Sequence, residues 1–128
     1  MRASRLQKLD AEENKKQVLT KAFIRMALYL NLSRQELFAI IGASEPSLSR
    51  LFNGQRYLDP ASKEGQLAIL LLRLYRSLDA LFGGNAKQCQ LWLRNENEHL
   101  HGVPIELICS IQGLIHTIQY LDAMRGKN

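Results

Sequence analysis

Cysteine is scarce in this chain of 128 residues, and the two present, Cys89 and Cys109, lie far apart with no CxxC arrangement. They read as reduced packing thiols rather than a disulfide or metal framework, which suits a cytoplasmic protein. Long apolar runs are missing too. The best of them, Leu67–Leu72, breaks at Arg73, far short of the roughly 20 residues a membrane span requires. The start of the chain is polar and charged, so no secretory signal is expected there. No stretch alternates apolar and polar residues at period two, and no internal repeat is found, which leaves an all-α fold. The ingredients of a reaction centre are likewise not assembled. No Ser/His/Asp or Cys/His arrangement appears, and Gly83-Gly84 lacks a phosphate-loop context. His99-x-His101, beside Glu96 and Glu98, has too few neighbours of ligand type for a metal site. No enzymatic activity, metal or cofactor is expected.

What the chain does have is a normal globular share of apolar residues, 46%, and a charge that is unevenly placed. Residues 1–58 carry ten Lys/Arg against five Asp/Glu, whereas residues 59–128 carry seven of each. The whole net charge of +5 therefore belongs to the first half. A basic half joined to a neutral one fits a polyanion partner on one side only, and fits equally a merely soluble basic surface.

Residues 1–11 show no pattern and are expected to fray. From Glu12 to about Leu30, apolar residues at Val18, Leu19, Ala22, Phe23, Met26, Ala27 and Leu30 keep the spacing of an amphipathic helix. Ser33 with Glu36 forms a capping box for a second helix ending at Gly42. Ser44 caps a third, which accepts Pro46 in its first turn and ends at Asn53-Gly54. Leu58-Asp59-Pro60 marks a boundary, dividing the chain into 1–58 and 59–128. A strongly apolar helix follows from Ser62 to Phe82; its wide apolar surface points to packing on several sides and to a homodimer. Asn85 to Leu93 reads as a short helix containing Trp92, and Asn95 to Gly102 as a polar loop. A last helix runs from Pro104 to about Met124, weakened near Ser110 to Gly113. Ile105, Leu107, Ile108, Ile111, Leu114, Ile115 and Ile118 are assigned to its core face.

The second and third helices have the spacing of a helix-turn-helix, with Gly42 at the turn, Leu37 and Ile41 anchoring one helix, and Leu48 and Leu51 the other. Spacing alone fits an ordinary αα-hairpin as well. As a DNA-binding unit, the third helix would present Pro46, Ser49, Arg50 and Asn53 opposite its buried side, flanked by Glu45 and Ser47. Arg50 suits a bidentate contact to guanine, about 1–3 kcal/mol of discrimination, and Ser49 and Asn53 suit base edges. Arg34, Gln55 and Arg56 suit phosphates.

The run Leu32-Ser-Arg-Gln-Glu-Leu-Phe-Ala-Ile-Ile-Gly-Ala-Ser-Glu-Pro-Ser-Leu-Ser-Arg-Leu-Phe-Asn-Gly54 resembles the Xre/Cro-type helix-turn-helix. It departs at Phe38, where alanine is usual at the helix crossing, and at Arg34, where glutamine is usual. Phe38 there implies a wider crossing. Further on, Leu91-Trp92-Leu93, Asn97, Leu100, Gly102-Val103-Pro104-Ile105-Glu106-Leu107-Ile108, Gly113-Leu114 and Tyr120–Lys127 resemble the C-terminal domain of the MbcA/ParS/Xre antitoxin family. The resemblance spans roughly residues 12–127. It implies a type II antitoxin: an N-terminal helix-turn-helix that binds double-stranded promoter DNA of its own operon, and a small helical toxin-binding domain. The implied toxin is a RES-domain protein that degrades NAD or transfers ADP-ribose, covered at its active site by the antitoxin. Tyr120, Arg125, Gly126 and Lys127 are then the expected toxin contacts, with Arg125 and Lys127 entering a pocket for the NAD pyrophosphate. The two cations also suit a helix C-terminus. The competing reading is a plain Xre-type regulator whose second half only dimerises.

Overall fold

The computed structural model describes residues 2–126, with side chains from residue 4 onward. Seven helices follow in order: α1 (Arg2–Tyr29), α2 (Arg34–Ile41), α3 (Glu45–Phe52), α4 (Lys63–Leu81), α5 (Ala86–Arg94), α6 (Pro104–Leu107) and α7 (Ile111–Met124). Among the described residues there is no β-strand, only an isolated bridge between Asn97 and Gly102.

Short polar side chains set where most of these helices begin. Ser33, Ser44, Ser62, Asn85 and Ser110 each accept a hydrogen bond from a backbone N–H in the first turn of α2, α3, α4, α5 and α7. Each cap satisfies a donor that the helix itself leaves free, at roughly 1 kcal/mol per cap. Ser33 and Glu36 complete the reciprocal capping box. The expected single last helix is split by the Ser110 cap into α6 and α7. Gly113 must lack a side chain there, because a Cβ would collide with the Leu107 carbonyl.

The helix α4 lies at the centre, packed against α1, α2, α5 and α7. Ala68, Leu71, Leu74 and Leu78 are fully buried along it, meeting Phe23, Met26 and Leu30 of α1, Leu37 and Ile41 of α2, Leu93 of α5, and Leu114 and Leu121 of α7 in one core. Most of its broad apolar surface is therefore covered by this chain's own helices, while Ile69 stays 44% exposed beside Val18 and Pro60. One buried polar contact ties the segment before α4 to α1. The Leu58 N–H donates to Thr20 Oγ1 at 2.8 Å, and that hydroxyl donates to the Lys16 carbonyl.

Three other expectations change. α1 begins at Arg2 rather than fraying up to residue 11. Val18 is 59% exposed although it falls in the helical stripe. Ile111 and Ile115, assigned to the core from spacing, are 60% and 40% exposed. α7 buries one face on α4 through Leu114, Thr117, Ile118 and Leu121, and the two isoleucines fall off that face.

Candidate functional site

α2 and α3 meet through a buried set of Leu37, Ile41, Ala43, Leu48 and Leu51, and Gly42 turns between them at φ +80°, a left-handed conformation that costs glycine nothing. Phe38 is 54% exposed and lies outside this buried set. The outer side of α3 exposes Glu45, Pro46, Arg50 and Asn53, with Ser49 half-buried and Gln55 exposed just beyond. Among the described residues, no acidic side chain pairs with Arg50. Its guanidinium is available for a ligand.

Two of the residues expected at DNA are otherwise placed, and a third is held against a neighbouring ring. Ser47 is buried at 8%, with its N–H on the Ser44 cap, and is set back from the outer side. Arg56 is half-buried in an ion pair with Glu64 of α4, so it braces the segment after α3 against the next helix rather than standing free for phosphate. Arg34 lies with its guanidinium carbon 4.5 Å from the centroid of the Phe52 ring. That cation–π contact holds the start of α2 over the end of α3 and keeps the charge at the surface.

In the second half, Tyr120 of α7 is held between two rings. It stacks on Trp92 of α5 at 6.4 Å between centroids and on His99 of the following loop at 5.9 Å. The loop closes through the Asn97–Gly102 bridge and a Leu100 N–H donated to Asn97 Oδ1. Beside Trp92 a cavity of about 180 Å³ opens between Phe82, Leu91, Asn95 and Glu96. Leu91, Ile111, Ile115 and Met124 remain exposed on this half. Spacing missed these residues as surface groups. The signal available was that α6 and α7 carry more apolar positions than one helix face can bury.

The end of α7 is fastened rather than free. Arg125 Nη1 donates to Ser77 Oγ at 3.0 Å, Ser77 Oγ donates to Asp122 Oδ1 at 2.7 Å, and Arg73 reaches the other Asp122 oxygen at 2.9 Å. The Ser77 hydroxyl, followed by Arg73, holds the Asp122 carboxyl below the usual carboxylate range. Arg125 is therefore an anchor on α4, a correction to its expected place on a loose chain end. Gly126 follows at φ +75°, and Lys127 lies outside the described residues.

The two halves grip each other at the turn before α2. Arg94, the last residue of α5, donates to both oxygens of Glu36 at 2.7 and 2.9 Å and to the Asn31 carbonyl at 2.9 Å. Glu36 is the same residue that completes the α2 capping box, and Arg94 is the main cause of its lowered pKa. Gln90 donates to the Tyr29 carbonyl, and the Tyr29 hydroxyl donates to Asp79 at 2.5 Å. Burial and Asp79 push the nearby Cys89 thiol up to about 11.

Two family models match the chain. The antitoxin Xre-like helix-turn-helix domain matches residues 10–73, and the antitoxin Xre/MbcA/ParS C-terminal toxin-binding domain matches residues 77–127. The chain belongs to the Xre/MbcA/ParS antitoxin family. It is a type II antitoxin with a DNA-binding, regulatory first half and a toxin-binding second half, both of them binding rather than catalytic modules. The residues of the α2 turn grip divide between the two matches: Tyr29, Asn31 and Glu36 in the first, Asp79, Gln90 and Arg94 in the second. No curated protein sequence matches this antitoxin. No helix among its described residues is long and apolar enough to cross a membrane.

Proposed function

We propose that this antitoxin neutralises a RES-domain toxin, one that degrades NAD or transfers ADP-ribose from it, and represses its own operon. The second half covers the toxin's active site, and α3 reads the promoter. For DNA, Arg50 is the guanine-reading residue, Ser49 and Asn53 meet base edges, and Glu45 borders them. Arg34, preset on Phe52, and Gln55 meet phosphates.

The observation that carries the toxin reading is the fastening of Arg125 to Ser77. It fixes the point from which the chain leaves α7. Lys127 is then the cation offered to a pyrophosphate-binding pocket, and Arg125 positions it. Tyr120, steadied by Trp92 and His99, belongs to the same contact surface.

The test is co-expression with the neighbouring RES-domain toxin of a chain ending at Arg125, which keeps the anchor and lacks Gly126–Asn128. Growth arrest with the complex still formed is expected. Full neutralisation by the shortened chain would refute the plug. Failure of the intact protein to co-purify with the toxin would instead leave a regulator that acts alone.

A further inference from the structure

The cavity beside Trp92 has a chemistry that the fold itself does not use. At about 180 Å³ it is smaller than the roughly 300 Å³ or more of a small-molecule pocket, a size that suits one long side chain. Phe82, Leu91 and Trp92 line it with apolar and aromatic surface, and Gln88, Asn95, Glu96 and Asn97 add polar groups. Leu91 is 44% exposed there, an apolar wall open to solvent.

The free polar groups are mainly acceptors. Asn95 spends its side-chain N–H on the Leu91 carbonyl at 2.7 Å, and no donor among the described residues reaches its side-chain oxygen. Asn97 Oδ1, by contrast, is already occupied by the Leu100 N–H. Among the described residues no cation pairs with Glu96. Its basic neighbour in the sequence, Arg94, is committed to Glu36 and the Asn31 carbonyl.

We propose that this cavity receives an arginine side chain of the toxin, an inference that rests on the second half being the toxin-covering surface. A guanidinium offers several N–H donors in one plane together with a flat face. The Glu96 carboxylate and the Asn95 oxygen take the donors, the Trp92 indole takes the face, and Phe82 and Leu91 cover the methylene stem. A lysine matches the charge but brings no plane to the indole. An acidic side chain meets Glu96 as a like charge. Trp92 also joins the cavity to Tyr120, on which it stacks at 6.4 Å, so the arginine enters beside the assigned toxin contacts. The cavity is then a selectivity element, because a toxin without that arginine would cover Glu96 and leave it unpaired.

The test is the affinity of the intact antitoxin for the purified neighbouring RES-domain toxin, measured by calorimetry. Glu96→Arg should weaken binding at least about tenfold, since attraction becomes repulsion. Its thermal unfolding should match that of the parent, because the Glu96 carboxylate pairs with nothing among the described residues. Each surface arginine and lysine of the toxin is then replaced by alanine and measured against the parent and against Glu96→Gln. One arginine should cost about tenfold with the parent and much less with Glu96→Gln, the mark of direct coupling. Lysine at that toxin position should recover only part of the loss. Binding of Glu96→Arg as tight as the parent's would overturn the proposal. So would cycles in which no basic residue couples to Glu96, or in which a lysine does. An intact antitoxin that binds no toxin would bring down the toxin reading together with this one, whereas failure at Glu96 alone leaves that reading standing.

Discussion

Replacing Arg94 with alanine removes three hydrogen bonds at once, two to the Glu36 carboxylate and one to the Asn31 carbonyl. The pair is only partly shielded, with side chains 40% and 23% exposed, so screening keeps its worth near the top of the surface range, up to about 1 kcal/mol. Bidentate geometry raises that figure and the carbonyl bond adds to it. The expected loss is about 1–2 kcal/mol at pH 7, read by urea unfolding with an unchanged slope. The pH dependence is the sharper part. Glu36 has a folded pKa below its ordinary value of 4.5, mainly because Arg94 donates to it. A carboxylate of that kind contributes its stability above the unfolded pKa and loses it as the pH falls through the folded one. The gap between parent and Arg94→Ala should therefore be full at neutral pH and shrink steadily below 4.5, leaving only the Asn31 carbonyl's share. Other acid-sensitive groups are common to both proteins and cancel in the difference. A gap of equal size at about pH 3 and pH 7 would refute this account of the grip, and so would no gap at either.

Thr20→Val should cost about 1–3 kcal/mol by the same measurement, since the buried Leu58 N–H is left without an acceptor; a neutral result would mean that another acceptor replaces it. Gly113→Ala should destabilise by roughly 2 kcal/mol or more, because the added methyl forces the α6–α7 turn away from the Leu107 carbonyl. A thiol reagent should modify Cys109 in the native protein and reach buried Cys89 only after unfolding. Rapid modification of both would show that α5 opens readily. Arg50→Ala should cut the preference for operator over random duplex by about 1–3 kcal/mol, and equal losses on both DNAs would remove Arg50 from base readout.

The helix boundaries were largely legible in the sequence because they are written locally. A Ser or Asn with its helix-start pattern and a glycine stop need no knowledge of the rest of the chain, and the caps at Ser33 and Ser44 lie where that chemistry puts them. The first part of α1 was not legible for a related reason. It buries no side chain in the core, so the sequence there carries no burial pattern, and its helicity rests on residues such as Leu, Gln, Lys, Glu and Ala. What a side chain touches was less readable still. Arg56 and Arg125 look like free cations until α4 supplies Glu64 and Ser77. The exposed pair Ile111 and Ile115 depends on how α7 is rotated, which spacing alone does not fix.

The grip on the turn before α2 bears on how antitoxins of this design can be recombined. A DNA-reading half joined to a foreign toxin-binding half would keep its capping box but lose the guanidinium beyond it, unless the newcomer also ends its α5 in an arginine. The incoming half would in turn need Glu36 and the Tyr29 hydroxyl as acceptor and donor for Arg94 and Asp79. Changing toxins by exchanging the second half is therefore restricted to partners that carry the same handful of contacts. A chimera cut at Pro60 inherits α4 with the wrong neighbours on one side.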